Sequence, residues 1–413
     1  MSKLNLTLHL LMNKSPMNKY PFQIGVGHLE VSDQQKANVM KVLDSNRLSH
    51  GPFSARLEKE FGDLHDRKYA LLSNSGTSSL QIAIAALKEK HGWKDGDEFL
   101  CPALTFVASS NVILQNNLKP VFVDIDPVTY NIDPAKIEAA VTERTRGVMP
   151  VHLFGLPADM DGVMAAAAKH NLKVVEDSCE TMFVKAQGHV VGSRGDIACF
   201  STYIAHLLVT GVGGFSCTND GELAVMMKSY LNHGRDSIYL NIDDDKNLGK
   251  DALFSVVNRR FSFVRMGYSY RVTELEAALG LAQLAELKDM MVERRKNADF
   301  LTEGLRELEE YMQLPSIPEG FDHAFMMYPI VLREGFSRDD LVLYLESLNI
   351  ETRYMMPLIN QPYYLELFGD QSADFPHAHH VNEHGFYIGC HQGLKREELE
   401  FILEAFKSYF SKF

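Results

Sequence analysis

Cysteine is scarce in this chain: Cys101, Cys179, Cys199, Cys217 and Cys390 are scattered through 413 residues, and no two form a CxxC pair. That excludes a zinc ribbon and leaves no disulfide framework, so a reducing, cytoplasmic setting is expected. Basic residues are outnumbered, 41 Lys+Arg against 54 Asp+Glu, for a net charge of −13. A chain with that balance is poorly suited to nucleic acid, whose phosphates demand a basic face. Long apolar runs are missing as well, and none approaches the roughly 18–20 residues that a membrane span requires. The short stretch from Leu4 to Leu11 lacks a small-residue cleavage site, so residues 1–25 read as a poorly ordered leader and not as a signal peptide. The acidic run Asp243-Asp-Asp245 reads as a solvated loop.

Apolar material is plentiful, at 46% of the residues, enough for a sizeable core. From about Leu29 to Phe200, helical stretches such as Gln34–Asp44 and Ser78–Lys88 alternate with short apolar runs. Those runs are Tyr69–Leu72, Glu98–Cys101, Pro120–Val123, Gly147–Val151 and Lys173–Glu176. Strand-then-helix repetition with apolar strands predicts βαβ units and a mainly parallel, buried sheet, an α/β fold with functional residues at the strands' carboxyl ends. A long amphipathic helix is expected around Val272–Val292, leading into a smaller α+β module. The expected division is a large domain over 26–290 and a small C-terminal domain over 291–413.

Four local sequences carry the chemistry. Asn74-Ser-Gly-Thr-Ser-Ser79 follows a strand and opens a helix, so its free N–H groups and dipole suit a phosphate. Pro102-Ala-Leu-Thr-Phe-Val107 places the Phe106 ring near the same rim, where it can stack on a flat cofactor or join the core. Val175-Glu-Asp-Ser-Cys-Glu180 ends a strand in acids, which packing explains poorly; a carboxylate there keeps the pyridine nitrogen of pyridoxal phosphate protonated. Asp196-Ile-Ala-Cys-Phe-Ser-Thr-Tyr-Ile-Ala-His206 then runs to the glycine turn Gly211-Val-Gly-Gly-Phe215, with Ser201 a second phosphate candidate.

In this order, the motifs resemble the DegT/StrS-type sugar aminotransferases, which have the fold type I architecture of aspartate aminotransferase. The resemblance runs from Leu48-Ser-His-Gly-Pro-Phe53 nearly to the C-terminus and includes Val151-His-Leu-Phe-Gly155, Gly267-Tyr-Ser-Tyr-Arg271 and Ile350-Glu-Thr-Arg353. It implies a large, mainly parallel sheet domain, pyridoxal or pyridoxamine 5′-phosphate as cofactor, and a homodimer whose sites are shared between subunits. Cofactor-binding roles are implied for Gly76, Thr77, Phe106, Asp177, Glu180, Ser201 and Ser269. Substrate contacts are implied for Arg353, His233 and His391.

One position sets this chain apart. Where the family carries its Schiff-base lysine, this sequence has His206, and imidazole cannot form a stable imine. A histidine moves protons near neutral pH, and histidine here resembles the family's 3-dehydratases. Those enzymes remove the C3 oxygen of a nucleotide-linked 4-keto-6-deoxy sugar, with glutamate as amino donor, in deoxysugar and lipopolysaccharide biosynthesis. His206 and Asp177 are then the expected catalytic residues. The segment after His233 has no cysteine, which argues against an iron–sulfur variant. Three departures from the family pattern stand out: Ser269 for Asn, Val212 for Glu, and Phe183 for a small residue, the last expected to reshape the pocket floor. Another reaction on the same substrate class and a non-catalytic sugar-nucleotide-binding homologue are the alternatives. His377, His379 and His380 read as a surface loop, with no metal expected.

Overall fold

Local signals at chain level translate into elements with few surprises. The computed structural model describes residues 17–237, 246–355 and 358–413; the acidic run at 243–245 and residues 1–16 of the expected leader lie outside them. Helix α1 (Asp33–Asp44) opens with a capping box, Ser32 accepting from the Gln35 N–H while the Gln35 side chain accepts from Ser32. Helix α2 (Pro52–Leu64) follows, with proline at its first position. Strands and helices then alternate: β1 (Tyr69–Ser73), α3 (Gly76–His91), β2 (Glu98–Pro102), α4 (Val107–Gln115), β3 (Lys119–Val123), α5 (Pro134–Ala140), β4 (Thr145–Val148), α6 (Met160–His170) and β5 (Lys173–Asp177). A small hairpin, β6 (Lys185–Ala186) and β7 (His189–Val190), precedes β8 (Ile197–Ser201), β9 (Gly214–Thr218) and α7 (Gly221–Leu231).

Seven strands form one sheet in the order β1-β9-β8-β5-β4-β2-β3. Pairing is parallel from β3 through β2, β4 and β5 to β8, and antiparallel where β9 meets β8 and β1. The central strands are mostly buried, as expected for a parallel sheet covered on both faces; every residue of β2 and β8 is buried. Strands β1, β2, β5 and β8 all end at the same sheet edge, and β9 begins there. The four chemistry-bearing sequences therefore converge at one place.

Helix α8 (Lys250–Arg259) leads to α9 (Glu274–Leu305), a single helix of 32 residues. Its first residue, Glu274, is buried and accepts N–H bonds from Gly51 (2.7 Å), Phe53 (2.9 Å) and Ser54 (2.8 Å), tying it to the start of α2. Its last turns insert Ala298, Leu301 and Leu305 into a second apolar core. The expected boundary at residue 290 thus falls inside one unbroken helix that serves both modules. Beyond it, β10 (Met312–Gln313), β11 (Met327–Leu332), α10 (Arg338–Ser347), β12 (Thr352–Tyr354), α11 (Pro362–Phe368), α12 (Pro376–His384), β13 (Gly385–Gly389) and α13 (Arg396–Phe410) build the small module. Its sheet is antiparallel, in the order β10-β11-β13-β12.

Three readings change at this level. Part of the expected leader is packed: the Ile24 N–H donates to Asn349 O at 2.8 Å, and Ile24 is buried. The histidines after Pro376 lie on α12, not in a loop, and the His380 and His384 rings stand one turn apart, 4.6 Å between centroids. Among the described residues no group of three or more potential ligands is placed to hold a metal. Phe183 packs against Phe61 and His65 and lines a separate cleft with Leu287 and Met291, so it does not form the floor it was expected to reshape. Among the described residues no helix is long and apolar enough to cross a membrane.

Candidate active site

At the sheet edge where the four motifs meet lies a cavity of 430 Å³. Gly76, Thr77, Phe106, Asp177, Glu180, Ser201 and His206 all line it, as does Val212. Helix α3 points its amino end at this space. Ser75 caps the helix through the Ser78 N–H (3.0 Å), leaving the N–H groups of the first turn directed outward. Glycine is required at 76 by close packing, since a Cβ there would stand 2.7 Å from Cys179 Sγ and 2.8 Å from Ser201 Cβ.

Strand β5 ends in two carboxylates that alternate to opposite sides. Glu176 is fully buried and accepts N–H bonds from Gly192 (2.9 Å), Arg194 (2.8 Å) and Gly195 (2.6 Å). Arg67 (3.3 Å) and His152 Nε2 (3.1 Å) also reach it. Burial alone pushes this carboxyl up, but His152, Arg67 and Gly195 overcome that and hold it at about 2. Because His152 Nδ1 accepts from the Ala158 N–H, Nε2 carries the proton donated to Glu176.

Asp177 faces the cavity. It accepts from the Ser109 hydroxyl (2.7 Å) and the Cys179 N–H (3.2 Å), and both donors are neutral. Burial raises its pKa against those donors. A buried carboxylate without a cation beside it is costly, and a cation bound in the cavity would supply that missing partner. Glu180 accepts from the Phe154 N–H at 2.9 Å. Burial, with the Asp177 charge adding to it, pushes Glu180 up to about 7.

His206 sits in the turn after β8, its N–H bonded to Tyr203 O at 2.9 Å. Its ring is half-buried at the cavity wall, and Nδ1 has no hydrogen-bond partner among the described residues. Burial pushes the imidazole down to about 4, with only the Cys179 backbone pulling the other way. No lysine lines the cavity among the described residues. The donor set fits a flat, phosphate-bearing cofactor with a basic nitrogen. The α3 amino end, Ser201, Asp177 and the exposed Phe106 ring all border this space.

Four expected residues stand elsewhere. Ser269 accepts from Arg271 at 2.9 Å and pairs with Asn232, outside the cavity wall. His233 lines a different cleft together with Arg271 and Lys228. Arg353 lies on β12, half-exposed and paired with Glu351. His391 is buried, stacked on His28 with 5.2 Å between ring centroids. Conversely, Tyr203, Met326, Met327 and Tyr387 line the cavity without having been anticipated. Three of them come from the small module, where no motif marks them. The pairing of β11 with β13, which sets Met327 opposite Gly389 and Pro329 opposite Tyr387, is visible only once the sheet is formed.

Comparison with known proteins places this geometry in context. The model of the DegT/DnrJ/EryC1/StrS aminotransferase family matches residues 30–407. Lipopolysaccharide biosynthesis protein RfbH of Salmonella typhimurium is 33% identical over 377 residues, covering 88% of this chain and 86% of that protein. GDP-perosamine synthase of Caulobacter vibrioides is 33% identical over 387 residues, covering 93% and 97%. Among solved structures, Escherichia coli GDP-4-keto-6-deoxy-D-mannose-3-dehydratase with bound hydrated PLP superposes with a TM-score of 0.84 at 25% identity, covering 94% of this chain and all of that one.

Proposed function

This chain belongs to the DegT/DnrJ/EryC1/StrS aminotransferase family and uses pyridoxal 5′-phosphate, and on that premise we propose that it removes the C3 oxygen of a nucleotide-linked 4-keto-6-deoxy sugar. The observation that carries the proposal is His206: an imidazole, not an amine, stands in the cavity wall. When bound, pyridoxal 5′-phosphate supplies an electron sink and an exchangeable amino group. The chain's residues do the rest. The α3 amino end with Gly76 and Thr77, together with Ser201, would hold the phosphate, and Phe106 would stack on the ring. Asp177 would keep the ring nitrogen protonated. Glu180, held near 7, would share a proton with the ring's neighbouring oxygen.

His206, unprotonated at neutral pH because burial lowers its pKa, takes a proton at a ring nitrogen. It returns that proton to the departing C3 hydroxyl, one group serving as base and then as acid. The balance closes without a further reductant. The sugar gives up one oxygen, glutamate becomes 2-oxoglutarate and ammonia, and two electrons pass from glutamate to the sugar. The likeness to RfbH supports a place in lipopolysaccharide deoxysugar synthesis, and a homodimer in the cytoplasm completes the reading. Amino transfer to the same keto sugar is the second reading, favoured by the name of the GDP-perosamine synthase relative.

The test uses borohydride followed by intact mass. Treatment of the loaded protein should leave the chain's mass unchanged, because no lysine holds the cofactor, and His206→Asn should retain cofactor yet release no ammonia from glutamate and keto sugar. A chain that gains the reduced cofactor's mass, or a variant that still releases ammonia, removes His206 from this role.

A further inference from the structure

Helix α12 carries His377, His379, His380 and His384 within its nine residues. Three of them, His377, His380 and His384, follow the i, i+3, i+7 spacing that lines one face of a helix. None of the four lines the cofactor cavity, so the chemistry described above leaves them unused.

His380 and His384 form the tightest pair. Spaced i, i+4, they stand one turn apart, with ring centroids separated by 4.6 Å and ring planes inclined by 39°. Both residues are half-buried, and His384 Nδ1 has no hydrogen-bond partner among the described residues. Rotation about χ2 lets each ring turn a nitrogen toward the other. Burial, with His384 adding to it, holds His380 below the usual histidine range. That keeps the imidazole neutral, the form in which it ligates a metal. Two histidines at i, i+4 on one helix face are also the arrangement by which a helix offers paired nitrogens to zinc.

The surroundings admit a cation. The Glu334 carboxylate is near enough to act on His380, opposing the effect of His377 and His379. Arg338 reaches the same turn through Asn382 O, but its guanidinium is paired with Asp339 at 2.9 Å. Glu334 does not complete a three-ligand group with the pair among the described residues. An ion there would therefore take two imidazoles from the chain and fill its remaining positions with water.

We propose that His380 and His384 form a two-imidazole site for a divalent first-row metal ion, apart from the cofactor cavity. Its place in the fold gives it a use. Helix α12 is tied to the large module at its start, where Asp124 accepts from the N–H groups of His377 (3.2 Å) and Ala378 (2.9 Å). At its end it passes directly into β13, whose Tyr387 lines the cofactor cavity. An ion on the last turn pins that passage from helix to strand. The site stands whatever reaction the cavity performs.

The test is calorimetric titration of the cofactor-loaded full chain, freed of metal with EDTA and dialysed, using Zn²⁺ as probe. Wild type should bind Zn²⁺ at a site that excess Mg²⁺ or Ca²⁺ leaves filled and Cu²⁺ competes for, because imidazole suits the later ions and oxygen the former. His380→Ala and His384→Ala should each weaken this binding at least about 10-fold, since even an outer partner of a metal ligand is worth about 10- to 100-fold. His377→Ala, next on the same face, should leave it unchanged. An unchanged melting temperature in EDTA would verify that each variant is intact. Zinc-edge X-ray absorption of the wild type gives a readout that needs no variant, with two imidazole nitrogens at about 2.0–2.1 Å and water oxygens expected. Absence of zinc binding, a zinc shell without imidazole, or wild-type affinity in either His380→Ala or His384→Ala overturns the site.

Discussion

Substituting Glu176 by Gln isolates the electrostatics of the buried carboxylate that precedes Asp177 on β5. The change keeps the side chain's volume and removes its charge from a site where Glu176 and Arg67 are both buried, their side chains 0% and 3% exposed. A carboxyl held at about 2 instead of 4.5 is bound by its surroundings about 3 kcal/mol more tightly when ionised than when protonated. Breaking one partner of a buried ion pair costs a similar ~3–5 kcal/mol, because the other charge remains buried. The Gln amide NH₂ would also confront the donors of Gly192, Arg194 and Gly195, leaving some of them unmet. Denaturant unfolding of the cofactor-free protein at pH 7 should therefore show a loss of about 3–5 kcal/mol. The sign of the pH dependence follows from a depressed carboxyl: this stabilisation is complete above pH 4.5 and is lost as pH falls toward 2. The gap between wild type and variant should narrow over that window. A loss under about 1 kcal/mol, or a gap that stays constant from pH 7 to pH 3, would show that Glu176 is not held ionised by its buried partners.

Two further outcomes are expected. Gly76→Ala introduces a Cβ 2.7 Å from Cys179 Sγ and 2.8 Å from Ser201 Cβ, so it should cost about 1–3 kcal/mol by overpacking and weaken pyridoxal phosphate in a spectroscopic titration. Unchanged cofactor affinity would detach the α3 amino end from the phosphate. Glu180, raised from 4.5 to about 7, makes the cofactor-free protein lose stability as pH rises between those values; Glu180→Gln should flatten that slope in melting experiments, and a slope that persists assigns it to another group.

Much of this architecture can be read from sequence because the large sheet is built from local signals. Short apolar runs separated by helical stretches mark β1, β2, β3 and β5 to within a residue at each end, whereas β4 (Thr145–Val148) lies two to three residues ahead of the expected 147–151 run. The cavity's floor is legible for the same reason, since Gly76, Asp177, Ser201 and His206 all sit at strand ends or within a few residues past them. Its far wall is not. Tyr387, Met326 and Met327 reach the cavity only through pairing between β11 and β13 and through the continuous α9, whose buried Arg294 donates to Phe325 O (3.1 Å) and Met326 O (3.3 Å). Such contacts span dozens of residues and leave no periodic trace. Ser269 and His233 illustrate the converse: their motif is plain, yet within one chain it faces the cleft beside Arg271 and not the cofactor cavity.

If the chain is a 3-dehydratase, the sugar loses oxygen and gains no nitrogen. Mass spectrometry of the sugar nucleotide after incubation of GDP-4-keto-6-deoxymannose with the protein, pyridoxal phosphate and glutamate tests this directly. The prediction is a product lighter by one oxygen atom, formed together with one ammonia and one 2-oxoglutarate. A product carrying a new amino group would contradict it.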